Sequence, residues 1–498
     1  MKRFPAYLIF ILGLSLVPAA LFSGSKASDA YYQAYVAMDA GKYPEAADLF
    51  TQAISQKPEF TDAYYGRGFC YEQMGKFADA MKDYKKTIEL DPNHAKAYNN
   101  LGVVYFKLYN DNENAEKNFK KSMELSKTNS LVYYNLGSIY YNQKRYDEAI
   151  RFFNEAIKLR PAYVEALNTR GLCYFWQKDY TKAIMDFSAV LVSEPNNPAA
   201  LVGRAISWVS VNQFTDAKKD VEQALSLDPG NRYALNCMGA IYLESDSFDT
   251  ALGYFNSVLS QDPNFDDALF NRALVYFHTG KYNDALSDMD RLSPVMKQSA
   301  IYYQLQSRIY FEKSDYGKAA DDAKKALEID GTLTIPNYIQ GLSAYFRNDY
   351  PAAAGFFTKY IEQIKDEKSA INALYLRGLC YLKSMNSQNA ISDFGKVVEL
   401  NPKHIAGYIG LSDAYNLQGS ANAAIGKLSL GLNANLGSGL LYYTRGNIYI
   451  DTGDYEKAGS DFQKAFELGI PGADKKSMEI KKYVEYLKTV TNTPGTKN

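Results

Sequence analysis

Hydrophobic and polar positions along the chain alternate with a helical period, broken at short, regular intervals. Tyr133 to Pro161 shows the unit clearly: Tyr133, Leu136, Gly137 and Tyr140 fall on one face of a first helix. Tyr146, Ala149, Phe153 and Ala156 fall on one face of a second helix. Lys144 and Arg145 lie between the two, where a short turn reverses the chain, and Pro161 stops the second helix. Gly137 and Ala149 let the two backbones approach, and the large side chains around them fill the seam. Helices of twelve to fourteen residues are marginal alone in water, so stacking against neighbours must stabilise them.

The same unit recurs every thirty-four residues, starting near Ala27, Thr61, Ala95, Ser130, Val164, Pro198, Arg232, Asp266, Ala300, Thr334, Ile371, Ile405 and Gly439. The eighth place of every unit is small, as in Gly68, Gly102, Gly171, Ala205 and Ser307. The second helix carries an alanine at a fixed place in each, from Ala46 to Ala458. The period, with its order large-Leu-Gly-Tyr and then Ala, Phe, Ala, Pro, resembles the tetratricopeptide repeat family. The resemblance implies an all-α, right-handed superhelical solenoid of about thirteen helix-turn-helix units with a C-terminal capping helix. Units one to eight then fill residues 28–299 and units nine to thirteen residues 300–472. Residues 473–490 read as an amphipathic cap with Met478, Ile480, Tyr483, Val484 and Leu487 on its apolar side, followed by a disordered polar tail over 491–498.

Departures from the period predict joints. Tyr109–Asn114 holds one extra residue, and Ser293-Pro294 ends a second helix early, leaving Val295 to Ser299 as a link. Residues 364–370 hold a three-residue excess, and Pro336 belongs in an opening turn. Gly426 and Gly431 weaken the second helix of unit twelve, where bending or fraying is expected first.

The N-terminus reads as a targeting segment. Lys2 and Arg3 precede the apolar run Tyr7–Val17, and a cleavage site fits at Ser25-Lys26-Ala27, making residues 1–27 an export signal for the periplasm or the extracellular space. The same stretch also meets the length of a membrane anchor, since residues 4–22 carry no charge; membrane contact would follow only if it is retained. Lys plus Arg is 55 and Asp plus Glu is 56, a balance that gives no basic face for nucleic acid. Cys70, Cys173, Cys237 and Cys380 take inward places at least two repeats apart, which predicts buried thiols and no disulfide.

No acid–base, nucleophilic, metal-ligand or phosphate-loop constellation stands out, so the sequence reads as a non-enzyme without a cofactor or metal. His94 and His404 share one turn place, after Asp91-Pro92 and Asn401-Pro402. Arg fills the seventh place in six units: Arg67, Arg170, Arg204, Arg272, Arg377 and Arg445. It reads either as a ladder for anionic ligands or as a packed stem with a locally paired head.

The resemblance also implies that first helices line a concave groove. Its outward places are Tyr65, Phe69, Tyr134, Tyr141, Asn168, Phe175, Trp176 and Asn236, then Phe270, Phe277, Arg308, Phe311, Tyr338, Tyr345, Phe346 and Tyr375. Aromatic residues dominate this set, as at interaction sites, and consecutive rings such as Phe175 and Trp176 cannot both face one seam. The two-carboxylate clamp with which some family members grip chaperone tails needs a Lys at the fifth place, and no unit has one. The expected partner is a protein, bound as an extended peptide or helix; a polysaccharide whose sugar rings stack on the aromatics is the alternative.

Overall fold

A computed structural model describes residues 26–491, with side chains to 485. The segments read as export signal (through residue 25) and polar tail (from residue 492) lie outside the described residues, as does the Leu487 side chain. Among the described residues the regular structure is helical, without strands. The helices pair as the period predicts, a first helix (A) and a second (B) per repeat.

The described residues form two compact units, divided between Ala268 and Leu269. The sequence expectation placed its division between repeats eight and nine, at 299 and 300. In the first unit repeat two comprises Thr61–Gln73 and Phe77–Leu90, repeat three Ala95–Tyr109 and Asn112–Leu125, repeat four Ser130–Asn142 and Tyr146–Leu159, and repeat five Val164–Trp176 and Tyr180–Ser193. The second unit carries repeats nine to thirteen, from Ala300–Glu312 to Tyr455–Glu467, and the cap Ala473–Thr491.

Each A helix turns into its B helix through a left-handed residue, Lys144 (φ 62°) in repeat four and Gly75 (φ 74°) in repeat two. The small eighth place is a steric requirement: a Cβ added at Gly137 would stand 2.7 Å from the Phe153 ring. B-helix rings also press on the following repeat. Phe187 lies against both Gly171 and Gly203, and Phe394 against both Gly378 and Gly410.

The joints agree with expectation at some places and differ at others. Val295–Ser299 is not a simple link, because Ser293 caps a four-residue helix, Pro294–Lys297, by accepting from the Met296 N–H at 3.3 Å. The excess at 364–370 folds into a 3-10 turn, Glu367–Ala370, capped by Asp366. Pro336 sits in the first turn of Ile335–Phe346, and the extra residue of repeat three is absorbed by left-handed Asn110 (φ 49°). The helix Ala421–Ala434 runs unbroken through both its glycines. Gly431 is a contact residue there, since a Cβ would stand 2.7 Å from the Tyr408 ring, whereas Gly426 faces open space. In the cap, Ala473, Ser477, Ile480 and Val484 face repeat thirteen, while Met478, expected on the apolar side, is 56% exposed. Tyr483 is also largely exposed, although it meets the Tyr455 ring at 4.9 Å. All four cysteines are buried and unbridged.

Candidate functional site

The six seventh-place arginines resolve first. Each reaches an aspartate sixteen residues on, in the B helix of its own repeat: Asp83, Asp186, Asp220, Asp288, Asp393 and Asp461. The pairing is two-pronged; Arg170 Nε donates to Asp186 Oδ2 at 2.8 Å and Nη2 to Oδ1 at 2.6 Å. The remaining nitrogen reaches back to the preceding repeat, as Arg170 Nη1 does to Asn154 Oδ1 at 2.7 Å and Arg204 Nη1 to Ser188 Oγ at 3.1 Å. Such arginines tie three helices together and hold no spare charge for an anionic ligand. The sequence carries the signal, because every Arg at this place is followed by Asp sixteen residues later.

In the first unit, A helices of the opening repeats frame a concavity of about 640 Å³. Tyr31, Tyr35, Phe50, Tyr65 and Phe69 supply rings; Asn99, Asn100, Ser126, Thr128 and Asn129 supply hydrogen-bonding groups; Asp62, Lys96 and Arg160 supply charge. The Tyr65 ring rests on His94 at 4.8 Å between centroids. His94 caps its helix, Nδ1 accepting from the Ala97 N–H at 3.1 Å, and burial holds its pKa below the usual imidazole value. The module repeats in the second unit: Tyr375 lies 5.3 Å from His404, whose Nδ1 accepts from the Gly407 N–H at 2.8 Å. The shared histidine turn place is thus a cap with a tilted tyrosine ring against it.

Beneath the concavity runs a chain of buried polar side chains. Asn135 Nδ2 donates to Asn99 Oδ1 (3.0 Å), Asn99 Nδ2 to Asn100 Oδ1 (3.1 Å), and Asn100 Nδ2 to the hydroxyls of Tyr65 and Tyr84 (3.3 Å each). Tyr84 donates in turn to Glu72 Oε2 at 2.6 Å. Sequence reasoning missed this chain. Its signal is visible at the repeat period, where Glu72 stands in line with Phe106, Tyr141 and Phe175, and Tyr84 with Phe50, Phe119 and Phe153.

The expected groove residues divide by burial. Tyr65 and Phe69 line the concavity, although Phe69 is only 6% exposed. Tyr134 and Tyr141 do not present rings to solvent: Tyr134 is wedged between Phe153 and Tyr163, and Tyr141 packs 6.1 Å from Tyr146. Burial pushes the Tyr134 hydroxyl up to about 12. Asn168 and Asn236 are half-buried. Trp176 is 42% exposed and meets Phe175 edge-on at 5.6 Å, and Phe175 also lies 5.5 Å from the Tyr180 ring.

In the second unit Phe270 is half-buried, and Tyr338 and Tyr375 pack on the B-helix rings Phe357 and Phe394. The Arg308 guanidinium lies 4.3 Å from the Phe277 ring centre, a cation–π contact. Phe311, Tyr345 and Phe346 form one cluster with Tyr316 and Tyr350. Phe346 stacks on Tyr316 at 5.0 Å and 11° and is 51% exposed.

The paired helices and their stacking define an α-helical repeat scaffold. Family models described as tetratricopeptide repeat match residues 61–94, 83–117, 130–163, 202–264, 242–309, 300–332, 371–404 and 440–468, together more than half of the chain. The chain belongs to the tetratricopeptide repeat family. It is 40% identical over 65 residues to Hsp70-Hsp90 organizing protein 3 of Arabidopsis thaliana, covering 13% of this chain and 12% of that protein. It is 42% identical over 69 residues to protein O-mannosyl-transferase TMTC3 of Homo sapiens, covering 14% of this chain and 8% of that protein. The chain thus spans only about an eighth or less of the length of these curated relatives. Among solved structures it is similar to the Cut9-Hcn1 hetero-tetramer of the APC/C, with a TM-score of 0.48 and 14% identity, covering 85% of this chain and 96% of that one.

Proposed function

We propose that this chain is a non-enzymatic adaptor of the cell envelope that holds an extended peptide or a helix of a partner protein along the A helices of its first unit. The carrying observation is the concavity of about 640 Å³ in repeats one to four, lined by both rings and side-chain amides. Rings take apolar side chains, while amides and hydroxyls take main-chain N–H and C=O groups, the combination an extended peptide needs. Phe175 and the exposed Trp176 offer further rings on the A helix of repeat five. The Arabidopsis relative is by name an organiser of two chaperones. This chain lacks the fifth-place Lys of the chaperone-tail clamp, which favours a different peptide chemistry. The envelope placement rests on Lys2, Arg3 and the apolar run from Tyr7 to Val17. No helix among the described residues is long and apolar enough to cross a membrane.

The test is capture of partner proteins from the native cell, followed by affinity measurement with a chain carrying Phe175→Ala and Trp176→Ala. Loss of at least about tenfold (~1.4 kcal/mol) supports the groove. Unchanged affinity contradicts it.

A glycan-binding reading is favoured by one observation, the exposed Phe346 face stacked on Tyr316 in the second unit. Polysaccharide retention by the wild-type chain that Phe346→Ala abolishes supports it, and retention unchanged in that variant contradicts it.

A further inference from the structure

Glu72 is a carboxylate where the other repeats of the first unit place Met38, Phe106, Tyr141, Phe175, Val209 and Leu243. It is 5% exposed, and its Oε1 makes no hydrogen bond. Burying a carboxylate with one oxygen unsatisfied is costly, and such groups avoid the cost by binding a proton. Burial raises the Glu72 carboxyl to about 7, against the opposing pull of the Tyr84 hydrogen bond and of Lys107. The groups that bear on it come from three helices. Tyr65 lies on its own A helix, Tyr84 on the B helix of the same repeat, and Asn100 and Lys107 on the A helix of repeat three.

Every hydrogen bond in the chain from Asn135 through Asn99, Asn100 and Tyr84 donates toward Glu72. The direction therefore depends on Glu72 Oε2 being an acceptor, which a proton placed on that oxygen ends. We propose that Glu72 is a proton-operated switch under the groove: when it takes a proton, its bond to Tyr84 reverses and the amide pair Asn99–Asn100 that floors the concavity is reset. With the proton on Oε2, the carboxyl donates to the Tyr84 oxygen. The Tyr84 hydrogen, displaced, turns to Asn100, whose amide rotates to present Oδ1 in place of Nδ2, so that Asn99 Nδ2 loses the acceptor it now holds. Tyr65, Asn99 and Asn100 all line the concavity, so the acceptors and donors offered to a bound main chain differ between the two states. That consequence rests on the concavity being the binding groove; the switch itself does not.

The experiment follows the side-chain amides of Asn99 and Asn135 by NMR in the full chain, without any ligand, between pH 5 and pH 9. The expected result is that both move with one midpoint near 7, that the movement disappears in Glu72→Gln, and that Tyr84→Phe uncouples the amides while the Glu72 carboxyl still titrates. Stationary amides, or the same midpoint surviving in either variant, overturn the proposal. If Glu72→Gln fails to fold, Tyr84→Phe decides alone. Because no ligand is present, a chain that captures no partner yet shows this titration defeats the adaptor reading and leaves the switch standing.

Discussion

Arg170 and Asp186 are joined by two parallel hydrogen bonds, although one belongs to the first helix of repeat five and the other to the second. Their side chains are 19% and 7% exposed, so the pair is mostly withdrawn from water. Removing one partner strands the other charge, which costs more than the pair itself contributes. Asp186→Ala should destabilise repeat five by about 2–3 kcal/mol, below the fully buried case because the Arg head keeps some solvent. Replacing both, as Arg170→Met with Asp186→Leu, should cost less than Asp186→Ala. Amide hydrogen exchange along Val164–Trp176 and Tyr180–Ser193 measures this locally, as a long repeat array need not unfold in one step.

Two glycines should respond with opposite signs. A Cβ at Gly137 meets Phe153 at 2.7 Å, so Gly137→Val should cost about 1–3 kcal/mol through overpacking. Gly426 has no atom within 4 Å of such a Cβ and lies inside a helix, so Gly426→Ala should gain about 0.5–1 kcal/mol. Denaturant titration of the two variants against wild type gives both signs.

These contrasts show how much was legible in the sequence. The thirty-four-residue period gave repeat boundaries and the eighth-place glycines, because a ring facing a missing Cβ leaves a fixed mark at a fixed place. It gave less for the groove. The fifth and twelfth places look outward on a helical wheel, yet Tyr134 and Tyr141 are buried, because the rings of Tyr163 and Tyr146 close over them. The wheel describes one helix, whereas burial depends on the neighbouring repeat. Gly431 shows the same limit: propensity marks it as a weak point, while its close approach to Tyr408 is not readable from one helix. The Arg–Asp pairing and the Glu72–Tyr84 exchange were both present at repeat spacing, as paired departures from the consensus. They become visible only when two places in one unit are read together.

Stability should carry the signature of Glu72. Its pKa is raised in the folded chain, so the fold prefers the protonated form. The associated stability is fully present below about 4.5 and is lost as pH rises to about 7. Glu72→Gln, which cannot ionise, should match wild type near pH 5 and exceed it near pH 8 by about 2–3 kcal/mol, since each tenfold change in proton affinity is worth roughly 1.4 kcal/mol. Melting curves of both chains at the two pH values check this.

The thiols should be inert in the folded chain. Burial pushes Cys70, Cys237 and Cys380 up to about 12, and Cys173 upward as well. The thiolate is the reactive form, so labelling by a thiol reagent at pH 8 should be slow in the native protein and fast once denaturant is added. Fast native labelling would show that the repeats open locally.

The most direct test of the adaptor reading is photocrosslinking in the native cell from a reactive residue at Trp176, with a control at exposed Lys158 on the B helix of repeat four. The groove account predicts a discrete protein adduct at Trp176 and none at Lys158. Equal adducts at both positions, or no protein adduct at Trp176, would contradict it.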